Sequence, residues 1–333
     1  MRLVCAVLVC AFLTGCTGGT SGDGDGDGSA PPRRGTAATT APSTSAPAAA
    51  PSPSEGCGKA AADGRRTFGG RSYLLKLPAG HGRAPAPLIV DLHGLHSTAF
   101  QQALYGRVAN AGAARGFIVV EPGSAPGREG WKLPGMPGGS ADVAYIGELL
   151  DHLESTLCVD RSREYATGFS NGAGLAMALV CGLRGRLAGV GAVAGSNLAR
   201  PCAEARPTRI LAFHGTADRI VPYGGGEPFG GDRTRVPAWM RPADGAFGLP
   251  SVTSLAGGWA RALGCGKGER SRPASRIVRL SHPGCEGGAR VELYTVDGGG
   301  HTWPGSFPLG GAGVTTTEID ATKIMLDAFT AAR

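Results

Sequence analysis

The chain has 333 residues, of which 42% are hydrophobic, so it is long enough to bury the core of one large or two small domains. It contains 33 basic and 26 acidic residues, which gives a formal net charge of +7. No basic helix face and no basic run interleaved with aromatic residues accompanies this excess. The composition therefore argues against nucleic-acid binding and favours a solvated basic surface.

The N-terminal residues have the form of a bacterial lipoprotein signal. Arg2 precedes an apolar run over residues 3–13, which is too short to span a bilayer and is typical of a signal peptide. The next residues complete a segment, Leu13-Thr14-Gly15-Cys16, that resembles a lipobox, in which Cys16 is diacylated and becomes the first mature residue. We expect removal of residues 1–15 and an extracytoplasmic protein, anchored to the cell membrane through Cys16 or, if the cysteine is incidental, secreted.

A low-complexity segment follows the lipobox. Residues 17–54 consist mainly of Gly, Asp, Ser, Thr, Ala and Pro, with almost no large apolar side chain. Such a segment cannot offset its ordering entropy by burial, so residues 16–56 are predicted to be a disordered tether. A single folded domain is predicted over residues 57–333.

The cysteines of this domain are expected to be oxidised, because the compartment is oxidising. Six cysteines remain after the signal peptide and Cys16 are set aside, and six allow 15 connectivities, among which the spacing does not choose. No C-x-x-C pair is present, so a zinc site is not expected. The six are Cys57, Cys158, Cys181, Cys202, Cys265 and Cys285.

Apolar runs of strand length alternate with segments of helical periodicity along the domain. This alternation predicts an α/β fold, with a mainly parallel sheet that is covered by helices on both faces. The predicted strands are residues 71–78 (an edge strand), 88–93, 116–122, 163–167, 190–194, 210–214 and 291–296. The predicted helices are residues 98–115, 141–157, 173–180 and 317–331.

One stretch of the domain, residues 224–250, has no regular pattern and is rich in Gly, Pro and Arg. It follows a segment that we place at the functional edge of the sheet. Two interpretations stay open: a lid or rim of the site, and an insertion without function.

A pentapeptide, Gly168-Phe169-Ser170-Asn171-Gly172, lies between a predicted strand and a predicted helix. In that setting G-x-S-x-G is the pattern of a nucleophile elbow, where a serine occupies a strained turn and flanking glycines avoid collisions. We therefore predict Ser170 to be a catalytic nucleophile.

A serine nucleophile needs a base and an acid that orients the base, in the chain order Ser, Asp, His. Asp218 follows the strand at residues 210–214, and His301 follows the last strand, so both are expected at the carboxyl edge of the sheet. The rival acids Asp142 and Asp160 precede Ser170, and Asp297 is only four residues from His301. The rival histidines are His214, at a strand end suited to packing or hydrogen bonding, and His282, in a predicted surface loop.

The oxyanion of an acyl-transfer intermediate needs two backbone N–H donors. We predict these to be the N–H of Asn171, directly after the nucleophile, and the N–H of Leu95, in the loop after the second strand. A metal held by His93 and His96 in that loop is not expected, because no third ligand lies nearby.

Four segments together resemble the family of polyhydroxybutyrate depolymerases and feruloyl or acetylxylan esterases, and the lipobox and tether resemble its actinobacterial lipoprotein branch. The segments are Leu92-His93-Gly94, residues 166–172, residues 214–223 and residues 299–305. The resemblance implies an α/β-hydrolase fold, a Ser170–Asp218–His301 triad and no cofactor or metal.

The resemblance also implies that Cys265 pairs with Cys285. Cys181–Cys202 is the second expected pair, and Cys57–Cys158 is what remains. Residues 224–250 form a longer connection than is usual in the family. Substrate access is therefore the property of the family that the resemblance predicts least well for this chain. Trp131 and Trp303 are candidates for the substrate pocket, with a core position as the alternative.

The sequence thus predicts a serine carboxylesterase that acts on a polymer or its oligomers, of polyhydroxybutyrate or of feruloyl or acetyl polysaccharide type. Its expected partners are an ester substrate and, through Cys16, the membrane. A serine peptidase on the same fold is one alternative. The other is a non-catalytic envelope lipoprotein that binds a polymer or a host surface.

Overall fold

A computed structural model describes residues 50–241 and 248–331 of the chain. The predicted signal peptide, the predicted lipidation site Cys16, residues 16–49 of the predicted tether and residues 242–247 of the predicted insertion lie outside the described residues. Within the described ranges, no helix is long and apolar enough to cross a bilayer.

Ten strands form one sheet in the described part of the chain, in the order β1-β2-β4-β3-β5-β6-β7-β10-β9-β8. The six central strands, β4-β3-β5-β6-β7-β10, are parallel to one another. An antiparallel pair extends the sheet at each edge, β1 with β2 on one side and β9 with β8 on the other. The strands are β1 (Gly64–Phe68), β2 (Arg71–Lys76), β3 (Ala86–Leu92), β4 (Ile118–Pro122), β5 (Val159–Phe169), β6 (Leu187–Val193), β7 (Arg209–Gly215), β8 (Glu269–Ala274), β9 (Ile277–His282) and β10 (Arg290–Val296).

Helices cover both faces of this sheet. The apolar residues of α3 and α4 and most of those of α5 pack into one core, and those of α1, α2 and α6 pack into another. The apolar run at residues 88–90 of strand β3 follows from this arrangement, because Leu88 and Val90 face the first core and Ile89 faces the second. The helices are α1 (Ala99–Gly106), α2 (Val108–Ala113), α3 (Ser140–Thr156), α4 (Asn171–Gly182), α5 (Val252–Ala262) and α6 (Ala321–Thr330).

Three expectations about local structure are wrong. The strand that begins at Arg71 is not at the edge, because β1 pairs with it on one side and β4 on the other. The single helix expected over residues 98–115 is two, since Arg107 adopts a left-handed conformation (φ 57°) and ends α1. His282 ends strand β9 rather than lying in a loop.

The folded domain begins by Ser52, before the predicted boundary at Cys57. The Ser52 N–H donates to Asp160 Oδ1 at 3.0 Å, and Ser54 is buried, with its hydroxyl donating to the carbonyl of Leu157 at 2.6 Å. These contacts satisfy backbone groups where β5 begins, which the polar composition of the segment does not reveal.

Three disulfides cross-link the domain. The bridge at Cys57 spans 101 residues, and a closed loop of that size lowers the entropy of the unfolded chain by an amount equivalent to about 5 kcal/mol of stability. The other two bridges close short loops, since their cysteines are 21 and 20 residues apart in the sequence. The pairs are Cys57–Cys158, Cys181–Cys202 and Cys265–Cys285.

Candidate active site

Ser170 occupies the turn between β5 and α4 in a strained conformation, with φ 54° and ψ −120°. A Cβ on Gly168 would lie 2.5 Å from the carbonyl carbon of Gly172, and one on Gly172 would lie 2.1 Å from the carbonyl oxygen of Leu92. Both distances are impossible contacts, so the flanking glycines are required by backbone packing against each other and against β3. The turn is held further by the Ser170 N–H, which donates to the Val193 carbonyl at 2.8 Å.

Asp218 and His301 are joined by a hydrogen bond, although 83 residues separate them in the chain. The distance between His301 Nδ1 and Asp218 Oδ2 is 2.7 Å, and both residues are buried. The other carboxylate oxygen, Oδ1, accepts the N–H groups of Ile220 and Val221 at 2.8 and 2.9 Å. Because Asp218 accepts on both oxygens, Nδ1 of His301 is the donor, and its Nε2 remains an acceptor.

A second histidine contacts the same carboxylate. Nε2 of His214 lies 3.2 Å from Asp218 Oδ2 and 2.8 Å from the carbonyl oxygen of Val221. Burial would raise the pKa of Asp218, but the hydrogen bonds from His214 and His301 outweigh it and hold that pKa well below its usual range. Asp218 is therefore ionised at neutral pH.

This role of His214 was not predicted from the sequence, which assigned it to packing or to an unspecified hydrogen bond. Its spacing of four residues from Asp218, across the end of β7, is the signal that points to it. Each partner of its Nε2 is an acceptor, so this nitrogen carries the proton.

The loop after β3, which holds the predicted oxyanion donor Leu95, is fixed by hydrogen bonds to His93. Nε2 of His93 accepts the N–H of Ser124 at 3.2 Å, so its Nδ1 is the donor to the Gly94 carbonyl at 2.8 Å. The carbonyl of His93 in turn accepts the indole N–H of Trp131 at 2.8 Å. Both ring nitrogens of His93 are thus used inside the protein.

Asn171, the other predicted oxyanion donor, is fixed by its side chain. Its Oδ1 accepts the backbone N–H of Trp131 at 2.6 Å, and its Nδ2 donates to the carbonyl of Trp131 at 3.0 Å. Trp131 therefore connects Asn171 to the loop of His93. The two predicted donor positions are held relative to each other through this one residue.

The interpretation of Trp131 and Trp303 as pocket residues is wrong. Both are fully buried and neither lines the cavity at Ser170. Trp131 packs against the ring of His93, with centroids 4.8 Å apart. Trp303 donates its indole N–H to Thr322 on α6 at 3.0 Å, so it belongs to the core behind His301.

Ser170 and His301 open into a cavity of about 500 Å³. Its wall is mostly apolar and comes from the loop of Leu95, from α1, from the segment after His301 and from part of the irregular segment at residues 224–241. At the cavity, Leu104 is 53% and Phe307 is 51% exposed. The apolar lining residues include Leu104, Tyr105, Phe169, Leu198, Val221, Phe229, Val236, Met240, Phe307 and Leu309.

Comparisons with known proteins identify relatives of this chain. A family model described as "Esterase PHB depolymerase" matches residues 71–205. The chain is 31% identical over 243 residues to "Feruloyl esterase B" of Piromyces equi, covering 69% of this chain but only 42% of that protein. It is 33% identical over 271 residues to "Putative esterase NocK" of Nocardia uniformis subsp. tsuyamanensis, covering 75% of this chain and 76% of that protein.

Among solved structures, an acetyl xylan esterase from Aspergillus awamori superimposes with a TM-score of 0.54 at 15% identity, over 81% of this chain and 100% of that chain. This similarity shows the α/β-hydrolase fold. The sequence relationships show the family as well as the fold, because the chain covers about three quarters of a relative that is 33% identical to it. The chain therefore belongs to the esterase family of polyhydroxybutyrate depolymerases and feruloyl esterases.

Proposed function

We propose that the protein is a serine carboxylesterase in which Ser170 is the nucleophile, His301 the general base and Asp218 the residue that orients the base. The observation that supports this most is that Ser170, at a strained elbow, and His301, bonded to an ionised Asp218, line the same cavity. The names of the relatives, "Feruloyl esterase B" and "Putative esterase NocK", agree with an ester substrate.

The proposed reaction proceeds through an acyl-enzyme. The Ser170 hydroxyl passes its proton to His301 Nε2 as its oxygen bonds to the ester carbonyl carbon. The backbone N–H groups of Leu95 and Asn171 stabilise the oxyanion. The intermediate then expels the alcohol, which takes the proton from Nε2. Water attacks the acyl-enzyme in the same way, which releases the acid and returns the proton to Ser170.

The cavity indicates which esters to expect. Its lining is apolar over most of its surface, and about 500 Å³ is far more than an acetyl group fills. We propose that a large apolar acyl or aromatic group occupies it, in a polymer ester or its oligomers of hydroxyalkanoate or hydroxycinnamoyl type. The part of residues 224–241 that lines the cavity is proposed to be a rim of the site.

A fluorophosphonate probe tests the proposal, because it reacts with an activated serine. We expect the native protein to be labelled stoichiometrically, with the label on the peptide that contains Ser170, and Ser170→Ala to take up no label. Urea-unfolded protein is the control and should stay unlabelled. No label on the native protein, or equal label on Ser170→Ala, would show a non-catalytic binding protein; cleavage of amides in preference to esters would show a peptidase.

We further propose that residues 1–15 are a signal peptide, that Cys16 carries the lipid anchor of an extracytoplasmic protein and that residues after it form a tether. The lipobox-like segment before Cys16 supports this. In a bacterial host, Cys16→Ala is expected to move the protein from the membrane fraction to the soluble extracytoplasmic fraction. A Cys16→Ala protein that stays with the membranes, as the unchanged protein does, would contradict the anchor.

A further inference from the structure

The cavity wall contributed by residues 224–241 carries one charged side chain, Arg235. Phe229, Val236 and Met240 are its neighbours in this wall and are all apolar. The cavity has other ionisable groups, but His301 is bonded to Asp218 and His96 lies beside Glu129. Arg235 therefore places a permanent positive charge beside an apolar space.

The nearby arginines have partners, whereas Arg235 has no carboxylate within ion-pair distance in residues 50–241 and 248–331. Arg233 pairs with Glu227. Arg241 donates to two backbone carbonyls of the same segment. The guanidinium of Arg235 instead lies over the ring of Phe229, with its central carbon 5.1 Å from the ring centroid.

Asp232, an acid of the same segment, forms its hydrogen bonds within the turn and none with Arg235. Its Oδ1 accepts the N–H and the hydroxyl of Thr234 at 3.0 and 2.6 Å. Those hydrogen bonds are the main cause of its lowered pKa, and the charge of Arg235 adds to them. The two side chains thus attract each other at a distance, without a hydrogen bond that would use the donors of Arg235.

Phe229 orients the guanidinium for a ligand. A ring beneath a guanidinium leaves the N–H donors at its edge, where a carboxylate accepts two of them in parallel. Phe229 itself has a left-handed backbone conformation, with φ 56°, and lines the cavity. A cation held in this way at an apolar cavity suits a ligand that is apolar along its length and anionic at one end.

We propose that Arg235 is a specificity-determining residue, which binds a carboxylate on the ester substrate while the apolar part of that substrate fills the cavity. The inference rests on the proposed esterase function. It extends that function to esters that carry a free carboxylate, such as acid-terminated oligomers of a hydroxy acid. It also gives the irregular segment at residues 224–241 a role in substrate choice.

Two esters of equal carbon number test this proposal: 4-nitrophenyl hexanoate, which is neutral, and the 4-nitrophenyl monoester of adipate, which carries a carboxylate. Arg235→Gln is expected to lower the ratio of kcat/KM for the adipate ester to that for the hexanoate ester about tenfold, through KM, as expected for loss of a charge-assisted hydrogen bond. Hydrolysis of the hexanoate ester should fall much less than that of the adipate ester, because the hexanoate ester has no carboxylate for Arg235 to bind. Raising the salt to 0.5 M should lower the ratio for the unchanged protein and leave that for Arg235→Gln constant.

Arg233→Gln is the matched control, because Arg233 lies two residues away, pairs with Glu227 and does not line the cavity. It should leave the ratio unchanged, and Arg235→Lys should restore part of it. An unchanged ratio in Arg235→Gln, or an equal loss on both esters, would overturn the inference while the esterase function stands. Failure of the unchanged protein to hydrolyse the hexanoate ester would overturn the proposed function and this inference with it.

Discussion

Replacement of Asp218 by asparagine is expected to lower kcat for ester hydrolysis about 10⁴-fold, by analogy with other serine hydrolases that lose the acid of their triad. The reason is the hydrogen bond between Asp218 Oδ2 and His301 Nδ1, at 2.7 Å. An amide nitrogen at this position donates instead of accepting, so His301 is bonded through the wrong tautomer and its Nε2 no longer takes the proton of Ser170. KM should change little, because Asp218 does not line the cavity.

His214→Gln provides the control for this prediction. It alters the other side chain that contacts Asp218 Oδ2, but it leaves the bond to His301 and the two N–H groups on Oδ1 in place. We expect a loss of about tenfold or less. A loss of 10⁴-fold in His214→Gln, or a loss below about 100-fold in Asp218→Asn, would contradict the assignment of Asp218 as the acid that orients His301. Steady-state kinetics with a neutral 4-nitrophenyl ester give both values.

Replacement of Glu121 by glutamine is expected to remove a pH-dependent loss of stability. Glu121 on β4 is 2% exposed, and its Oε1 has no hydrogen-bond partner among the described residues. Burial, with a further contribution from the charge of Asp91, raises the pKa of Glu121 from its ordinary 4.5 to about 9. Burial also raises the pKa of Asp91, to about 6. The carboxyl group of Glu121 is therefore neutral in the folded protein at pH 7.

The sign of the effect follows from where the proton is bound. Between pH 4.5 and 9 the unfolded chain releases the proton of Glu121 and the folded chain keeps it, so stability falls as the pH rises. The loss between pH 4.5 and 7 amounts to about 3 kcal/mol. Glutamine has the same shape and no charge, so Glu121→Gln should lie within about 1 kcal/mol of the unchanged protein at pH 5 and exceed its free energy of unfolding by a few kcal/mol at pH 8.

Urea unfolding at pH 5, 6, 7 and 8 measures the difference in free energy of unfolding between Glu121→Gln and the unchanged protein. Glu292→Gln is the control, because its effect on stability at high pH is expected to have the opposite sign. Glu292 is buried but accepts hydrogen bonds from Arg279 and Tyr294, which outweigh burial and lower its pKa. Its stabilising contribution is present above pH 4.5 and is lost as the pH falls, so Glu292→Gln should destabilise the protein at pH 8. Parallel stability profiles for Glu121→Gln and the unchanged protein would show that Glu121 is not buried as a neutral acid.

The central sheet is predictable from the sequence because its strands are buried on both faces. In a strand such as β3 every residue is buried, and all are apolar except Asp91, whose carboxylate accepts hydrogen bonds from Gln102 and Thr167. Such a strand leaves a clear apolar run in the sequence. The edge strands leave no such signal: β8 has the sequence Glu-Arg-Ser-Arg-Pro-Ala and is mostly exposed. Their pairing is set by β9 and β10, so only the fold reveals it.

The order of the site residues is predictable for a related reason. Ser170, Asp218 and His301 each follow a parallel strand, and parallel strands place their carboxyl ends at one edge. The surroundings of these residues are not predictable in this way. The position of Trp303 depends on Thr322, and the contact of His214 with Asp218 depends on the path of the loop between them. The sequence alone does not distinguish a tryptophan that lines a pocket from one that packs in the core, because tertiary contacts determine its position.

The disulfide between Cys57 and Cys158 determines how the domain bears a mechanical force. It joins the beginning of the folded chain directly to the residue before β5, a central strand, so tension applied at the N-terminus reaches the middle of the sheet without passing through β1 or β2. Ser170 follows the other end of that strand, about 35 Å away for eleven extended residues. While the bridge is intact, residues 58–157 are shielded from a pull on the chain. Once it is reduced, a pull that breaks the contacts of Ser52 and Ser54 passes next to the exposed edge strand β1.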